Sequence, residues 1–129
     1  MFKSIGILKY GPEWKMILAV DQDLSNYYRA LIPKSTCCKR PSWPAHMTIV
    51  RQEFEVPLHK EHWMKYNGME VAFDYLPIIL NDEYYFWLNA WSKQLEQIRI
   101  ELGLTIYSRW VLPPKGFTKN FHITIANKG

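Results

Sequence analysis

The sequence predicts a pseudo-duplicated α+β fold that occupies residues 1–129 as one domain. Segments with strand-like and helix-like patterns follow one another in the order β-β-α-β-(α)-β-β-α-β, so each half contains strands, one main helix and a closing strand. Both closing strands carry the same short pattern, His-apolar-Thr-apolar, at residues 46–49 and 122–125. A chain of this length is also sufficient to bury a core without disulfides or metals.

The first half begins with two short β-rich runs, residues 4–10 and 14–20, and the Gly-Pro-Glu between them predicts a turn. Asp23 is a suitable N-cap for a helix over residues 24–32, which has to end before the proline that follows it. A basic, turn-rich loop comes next, and residues 45–51 form the closing strand of this half.

The second half begins with a short helix predicted over residues 58–66, which ends before an Asn-Gly turn. Residues 69–75 and 83–90 have the residue types and alternation of two further strands. The strongest helical periodicity lies in residues 91–104, where apolar side chains recur on one face and a glycine follows. A Pro-Pro loop then leads to the last strand, residues 121–127.

The composition is that of a globular protein with many aromatic side chains. Apolar residues make up 48% of the chain and charged residues 22%. The net charge of +4 favours an anionic partner such as a nucleotide, but it is too small for a protein that binds along duplex nucleic acid. The only cysteines are the adjacent Cys37 and Cys38, which predicts reduced thiols and an intracellular protein, and no apolar run reaches membrane-spanning length.

The two histidine motifs place a histidine and a threonine on the same side of each strand, because residues two apart share a face. His46 and Thr48 share one face of the first closing strand, and His122 and Thr124 share one face of the second. The intervening apolar residues point the other way and are expected to pack in the core. The histidines and threonines are therefore expected to point away from the core, into a groove or into solvent.

Two such His-Thr pairs that face each other suit the cleavage of a phosphodiester. Imidazole titrates near neutral pH, so one histidine can take the proton of the attacking oxygen while the other protonates the leaving oxygen. A threonine hydroxyl can donate to a non-bridging phosphoryl oxygen and stabilise its charge. One motif alone is more often an ordinary strand with a hydrogen-bonded histidine, but the pair predicts a catalytic site of His46, Thr48, His122 and Thr124.

The paired motifs resemble those of the two-histidine (2H) phosphoesterase superfamily, in which H-x-T/S motifs lie on strands of a small pseudo-symmetric domain. This superfamily includes RNA 2′,3′-cyclic phosphodiesterases and LigT-type RNA ligases. The resemblance implies a two-lobed, LigT-like fold in which antiparallel sheets line a central groove and the helices lie outside. It also implies that the two histidines are the catalytic pair and that the two threonines bind the phosphate, without a metal ion or another cofactor.

A closer likeness is to phage anti-CBASS phosphodiesterases, on the basis of the short chain and of residues 56–68, 97–104 and 121–127. Those enzymes degrade the cyclic di- and trinucleotide signals of bacterial antiviral immunity. The likeness implies that this chain hydrolyses 3′–5′ linkages of such a cyclic oligonucleotide in the cytoplasm of an infected bacterium. No membrane partner and no stable nucleic-acid partner are expected, and the oligomeric state is left open.

Aromatic side chains on strands are candidates for stacking on a base. Trp87 shares one face of its predicted strand with Tyr85 and Asn89, opposite the core face. Tyr10 ends the first strand, on a face that includes a glycine and therefore has room beside it. Stacking of this kind contributes about 1–3 kcal/mol per base. Tyr10 and Trp87 are therefore predicted to bind the substrate.

Charged and metal-binding candidates are fewer. Lys119 and Arg51 flank the two motifs. Arg51 alternates in step with Met47 and Ile49, so on a continuing strand it would point into the core, and it reaches a groove only if its strand has ended. His59 and His62 have the i,i+3 spacing of a metal-binding pair on a helix. Because no third ligand follows at a recognisable spacing, they predict a solvated helix face, and the sequence predicts neither a metal nor a cofactor.

Two other functions use the same residues. An RNA-end enzyme that opens 2′,3′-cyclic phosphates would have the same catalytic residues and a different groove. A non-catalytic protein would bind a nucleotide and sequester it. The shared motif indicates which bond is broken, but it indicates neither the molecule that contains this bond nor the histidine that acts first as the base.

Overall fold

The computed structural model describes residues 1–108 and 111–128. Within these residues it contains seven strands and two α-helices, in the order that the sequence predicts for its main elements. The strands are β1 (Phe2–Gly11), β2 (Lys15–Val20), β3 (His46–Val50), β4 (Glu70–Tyr75), β5 (Leu80–Asn81), β6 (Tyr85–Trp91) and β7 (Phe121–Asn127), and the helices are α1 (Gln22–Ala30) and α2 (Lys93–Glu101).

The strands form one closed antiparallel barrel. Neighbouring strands are hydrogen-bonded in the order β4-β1-β2-β3-β7-β6, and the short β5 pairs with the first part of β6, on the edge opposite β7. β4 also pairs with β6, with Asp74 opposite Trp91 and Tyr75 opposite Ala90, and this pairing closes the six strands into a ring.

This closure shows that the predicted two-lobed, LigT-like α+β fold is wrong. The β3–β7 and β4–β6 pairings join the two halves of the chain into a single sheet, so there are not two separate sheets along a central groove. The regular structure is mostly sheet, and each of the two helices has nine residues.

The helix expected over residues 58–66 is also absent from this described segment, where a single 3₁₀ turn forms instead. The backbone N–H groups of Leu58 and His59 both donate to the carbonyl of Leu102, at 3.0 and 3.1 Å. Met64 has a φ of 66°, a left-handed conformation that a right-handed helix does not include. The segment is therefore a loop held against the end of α2.

Strand alternation and one face of each helix build one core. The strand parity expected from the sequence is confirmed for both motifs, since Met47, Ile49, Ile123 and Ile125 are at most 1% exposed. Buried side chains of α1 and α2 belong to the same core cluster. The alternate side chains of β3 and β7 therefore point outward.

Polar side chains set the ends of the helices. Asp21, and not Asp23 as the sequence suggested, accepts the first hydrogen bond of α1, from the backbone N–H of Asp23 at 2.9 Å. Ser92 caps α2 by accepting from the backbone N–H of Leu95 at 3.3 Å. No helix in the described ranges, 1–108 and 111–128, has the length and the apolar character needed to cross a membrane.

A buried arginine connects α2 to the end of β3. Arg99 is 0% exposed, and its guanidinium donates to the carbonyls of Ile49 at 2.6 Å and Thr105 at 2.8 Å. It also forms a two-pronged pair with both carboxylate oxygens of Glu55. Glu55 accepts from the backbone N–H of Arg51 at 3.1 Å, so the pair fixes the turn that directly follows β3.

Candidate active site

The register of β3 and β7 brings the two histidine motifs together. The strands are antiparallel, with the middle apolar residues of the two motifs opposite each other. In that register His46 lies beside Thr124 and Thr48 lies beside His122, all on the outer face. Cβ atoms of such neighbours are about 4.5–5.5 Å apart, and the two histidines lie on the longer diagonal of about 7–8 Å. The two histidines therefore flank one stretch of the outer face, with a threonine beside each.

β6 extends the same outer face by one strand. Trp87 is the register partner of Thr124, and Asn89 is the partner of His122. The indole meets the His122 ring edge to face, with centroids 5.8 Å apart and an interplanar angle of 74°. Trp87 Nε1 donates to Asn89 Oδ1 at 3.1 Å, which fixes the orientation of the indole beside the histidine.

An open groove of about 550 Å³ lies over this face. Its floor carries both histidines, both threonines and Trp87, and its walls are formed by Pro41, Ser42, Trp43, Pro44, Arg51, Asp82, Tyr85 and Asn127. A second cavity of about 500 Å³ shares the two motifs and reaches Phe54 and Lys119. These volumes are within the range of small-molecule binding sites.

His46 is half-buried at the start of β3. Its Nδ1 lies 2.8 Å from the carbonyl oxygen of Pro44. A carbonyl only accepts a hydrogen bond, so Nδ1 carries the proton and donates it to this oxygen. Nε2 is then the nitrogen left for a ligand in the groove, and it can accept a proton or, in the imidazolium, donate one.

His122 has a different electrostatic environment. Part of its surface is open to the groove, but the Trp87 indole covers one side of the ring and keeps water from it. This desolvation is the main cause that lowers the pKa of His122 below its usual value of 6.5, and the positive charges of Arg51 and Lys119 lower this pKa further. His122 is therefore neutral at neutral pH and suited to accept a proton.

Arg51 and Lys119 bring positive charge to the site. β3 ends at Val50, so the strand parity that would have turned Arg51 inward no longer applies to it. Arg51 lines both cavities, and Lys119 lines the second. The pKa of Lys119 is lowered, first by burial and then by the nearby guanidinium of Arg99. The groove thus offers two cations to an anionic ligand.

The structure does not bring Tyr10 to this groove. Tyr10 follows Leu8 on the inner face of β1 and packs edge to face on Trp63, with ring centroids 4.8 Å apart. The glycine on this face, Gly6, leaves no free space, because a Cβ there would lie 2.6 Å from the carbonyl oxygen of Ala19. The signal in the sequence was Leu8, an apolar residue two positions before Tyr10. The two residues share a face of β1, and that face is the one that packs in the core.

Loop residues are the part of the groove that sequence reasoning missed. Trp43 and Pro44 come from the turn-rich segment before β3, and Phe54 and Asp82 come from two other connections. Loops have no periodicity from which a face could be assigned. The one available signal was the position of Trp43 three residues before the histidine of the first motif.

The described side chains do not form a metal-binding site. Among the residues that the structure describes, no three His, Cys, Asp or Glu side chains are grouped so as to hold a metal ion. Within the predicted i,i+3 pair, His62 lies 3.7 Å from a carboxylate oxygen of Glu101.

Comparison with known proteins finds no matching family model, no detectably similar curated protein and no matching solved structure.

Proposed function

We propose that this protein is a metal-independent phosphodiesterase in which His46 and His122 act as general acid and general base on a nucleotide phosphodiester. The observation that carries the proposal is the β3–β7 register, which sets the two histidines on a diagonal with a threonine beside each. Arg51 and Lys119 supply positive charge for the phosphoryl oxygens. The proposal depends on this groove and on the paired motifs, and not on the two-lobed architecture of 2H phosphoesterases.

In a 3′–5′ linkage, the ribose 2′-hydroxyl next to the phosphorus is the nucleophile. The general base takes the 2′-hydroxyl proton as the 2′-oxygen bonds to phosphorus. The bond from phosphorus to the 5′-oxygen breaks in line, and the general acid protonates that oxygen. The products are a 2′,3′-cyclic phosphate and a 5′-hydroxyl. Water then opens the cyclic phosphate with the two histidines in exchanged roles, which restores both protonation states.

The environments of the two histidines favour His122 as the first base and His46 as the first acid. The lowered pKa of His122 keeps its ring neutral and able to accept the 2′-hydroxyl proton. The Nδ1–H of His46 stays bonded to the Pro44 carbonyl, so the proton that an imidazolium at this position gives up comes from Nε2. Thr48 and Thr124 donate to the non-bridging oxygens between the two rings.

The proposed substrate is a cyclic oligonucleotide with 3′–5′ linkages, degraded in the cytoplasm of a phage-infected bacterium. Two kinds of observation support this choice. The groove combines cations with the aromatic side chains of Trp87 and Tyr85, which suits a ligand that has both phosphates and bases. The resemblance of the short chain and of residues 56–68, 97–104 and 121–127 to anti-CBASS enzymes supplies the cyclic nature of the substrate.

Product analysis on a panel of substrates tests this proposal. We expect the wild-type protein to convert 3′,3′-cyclic dinucleotides and cyclic trinucleotides to linear products with a 2′,3′-cyclic or monophosphate end, and to do so equally well in EDTA. An RNA that ends in a 2′,3′-cyclic phosphate is included in the same panel. Turnover of the RNA alone would indicate an RNA-end enzyme, binding without product would indicate a sequestering protein, and loss of activity in EDTA would contradict the metal-independent mechanism.

The pH profile tests the role of His122. We expect the acid limb of kcat/KM to lie below pH 6.5, because the base has to be neutral and the pKa of His122 is lowered. Arg51→Gln removes a positive charge near His122, which raises the pKa of His122, so the acid limb should move to higher pH. Lys34→Gln, an exposed change outside the groove, is the control and should leave the limb in place. An unmoved limb in Arg51→Gln would contradict the assignment.

A further inference from the structure

The outer face that carries the histidines continues beyond the groove onto β2 and β1. On β2, Ala19 is the register partner of His46, and Ile17 is the partner of Thr48. On β1, Lys9 is the partner of Ile17. The groove over β3 and β7 is therefore the middle part of a longer surface that extends across two more strands.

A separate cavity of about 140 Å³ lies on this extension. Lys9 and Lys15 line it from β1 and β2, and Trp43 lines it from the loop before β3. Trp43 and His46 line both this cavity and the groove, so the two spaces adjoin at the first catalytic histidine. A ligand that occupies the groove can therefore continue directly into this cavity.

The two lysines present positive charge that no ion pair among the described residues neutralises. The ammonium of Lys15 lies 5.5 Å from the centroid of the Trp43 indole, within cation–π range. Within the described ranges, the ion pairs involve other cations, and no carboxylate pairs with Lys9 or Lys15. The acidic residue nearest to Lys9 in the sheet register, Glu70 of β4, lies opposite Ile7, on the far side of β1 from β2, and like the other described carboxylates it forms no ion pair with Lys9.

Trp43 is unusually exposed for an indole. It is 71% exposed, although it stands beside the half-buried His46. An exposed indole next to two cations provides what an adjacent nucleotide needs, namely a stacking surface for the base and positive charge for the phosphate.

We propose that Lys9, Lys15 and Trp43 form a second nucleotide subsite, in which the lysines bind the phosphate next to the one that is cleaved and Trp43 stacks on an adjoining base. The inference rests on the proposed function and makes its substrate more specific. Two strand spacings, about 9–10 Å, separate the middle of the β3–β7 pair from the middle of the β1–β2 pair. One nucleotide and a lysine side chain bridge that span. The preferred substrate thus contains at least two phosphates.

The double variant Lys9→Gln/Lys15→Gln tests the subsite with two substrates of the same base, 3′,3′-cyclic di-AMP and adenosine 2′,3′-cyclic phosphate. We expect KM for cyclic di-AMP to rise about tenfold with kcat nearly unchanged. This KM should also depend less steeply on salt concentration, since lysine–phosphate contacts are salt-sensitive. The single-phosphate substrate cannot reach the subsite, so its kcat/KM should not change. Lys3→Gln/Lys34→Gln removes the same charge elsewhere and should match the wild type with both substrates.

The outcomes separate the subsite from the proposed function. An equal loss with both substrates, or no change with either, would overturn the subsite while the phosphodiesterase remains. If the wild-type protein turns over neither substrate, the proposed function fails, and calorimetric binding of cyclic di-AMP then decides on the subsite. Weaker binding by Lys9→Gln/Lys15→Gln than by Lys3→Gln/Lys34→Gln would support the subsite, and equal binding would overturn it.

Discussion

Replacement of either histidine of the proposed catalytic pair, in His46→Ala or His122→Ala, is expected to lower kcat by about 10²–10⁴-fold, the contribution typical of a positioned general acid or base. Ligand binding should be largely retained, because Arg51 and Lys119 still provide the positive charge in the groove. In the proposed mechanism the two histidines act in the same transition state, so the double variant should be only slightly slower than the slower single variant.

The measurement combines single-turnover kinetics on 3′,3′-cyclic di-AMP with calorimetric binding and thermal unfolding. Both histidines lie on the outer face of the barrel, so their removal should leave Tm nearly unchanged. His59→Ala is the matched control, because His59 is exposed and lies outside the groove, and this variant should have the wild-type rate. A wild-type rate in either His46→Ala or His122→Ala would exclude acid–base catalysis by that residue.

Replacement of the partner of the buried arginine, in Glu55→Ala, is expected to lower the free energy of unfolding by about 3–5 kcal/mol, because it leaves a buried charge without its counterion. Arg99 is 0% exposed, and its remaining bonds go to neutral carbonyls. Urea unfolding measures the effect. Glu53→Ala, an exposed change in the same turn, is the control and should stay within about 0.5 kcal/mol of the wild type.

A paired replacement distinguishes loss of the counterion from loss of packing. Glu55→Met/Arg99→Met removes both charges, and such exchanges of a buried pair for apolar residues are often close to neutral. We therefore expect this double variant to be more stable than Glu55→Ala. If the double variant is as unstable as Glu55→Ala, the destabilisation does not come from the uncompensated charge.

The stability contribution of Glu55 should also depend on pH. Burial by itself would raise the pKa of Glu55, but the hydrogen bonds from Arg99 and from the Arg51 N–H outweigh it, and the folded pKa lies below 4.5. The contribution is therefore complete above the unfolded pKa and is lost as the pH falls through the folded pKa. The difference in unfolding free energy between wild type and Glu55→Ala should be full at pH 7 and shrink in acid below about pH 4.5.

Strand alternation explains how much of the site could be predicted. The parity of His46 against Met47 and of His122 against Ile123 assigns each side chain to a face, and the structure places them accordingly. Alternation says nothing about which strands are neighbours. The pairing of β4 with β6, in which Asp74 lies opposite Trp91, leaves no pattern in the local sequence. The sequence alone therefore could not distinguish a closed barrel from two separate sheets.

The misplaced and missed residues have similar physical reasons. Tyr10 was assigned outward because a glycine shares its face, but that glycine allows close approach of β2 and the face is the inner one. Arg51 lies one residue beyond its strand, where parity no longer decides direction. Trp43 comes from a loop, whose path depends on tertiary contacts such as the one with Lys15.

Because the four motif side chains point outward, they can be replaced without removing the contacts that hold the fold together. His46, Thr48, His122 and Thr124 add little to the buried core, which consists of their apolar neighbours. A single substitution at either histidine therefore removes the proposed chemistry and leaves a folded protein whose groove keeps the positive charge of Arg51 and Lys119. Evolution from a degrading enzyme to a sequestering protein would then need no intermediate that fails to fold.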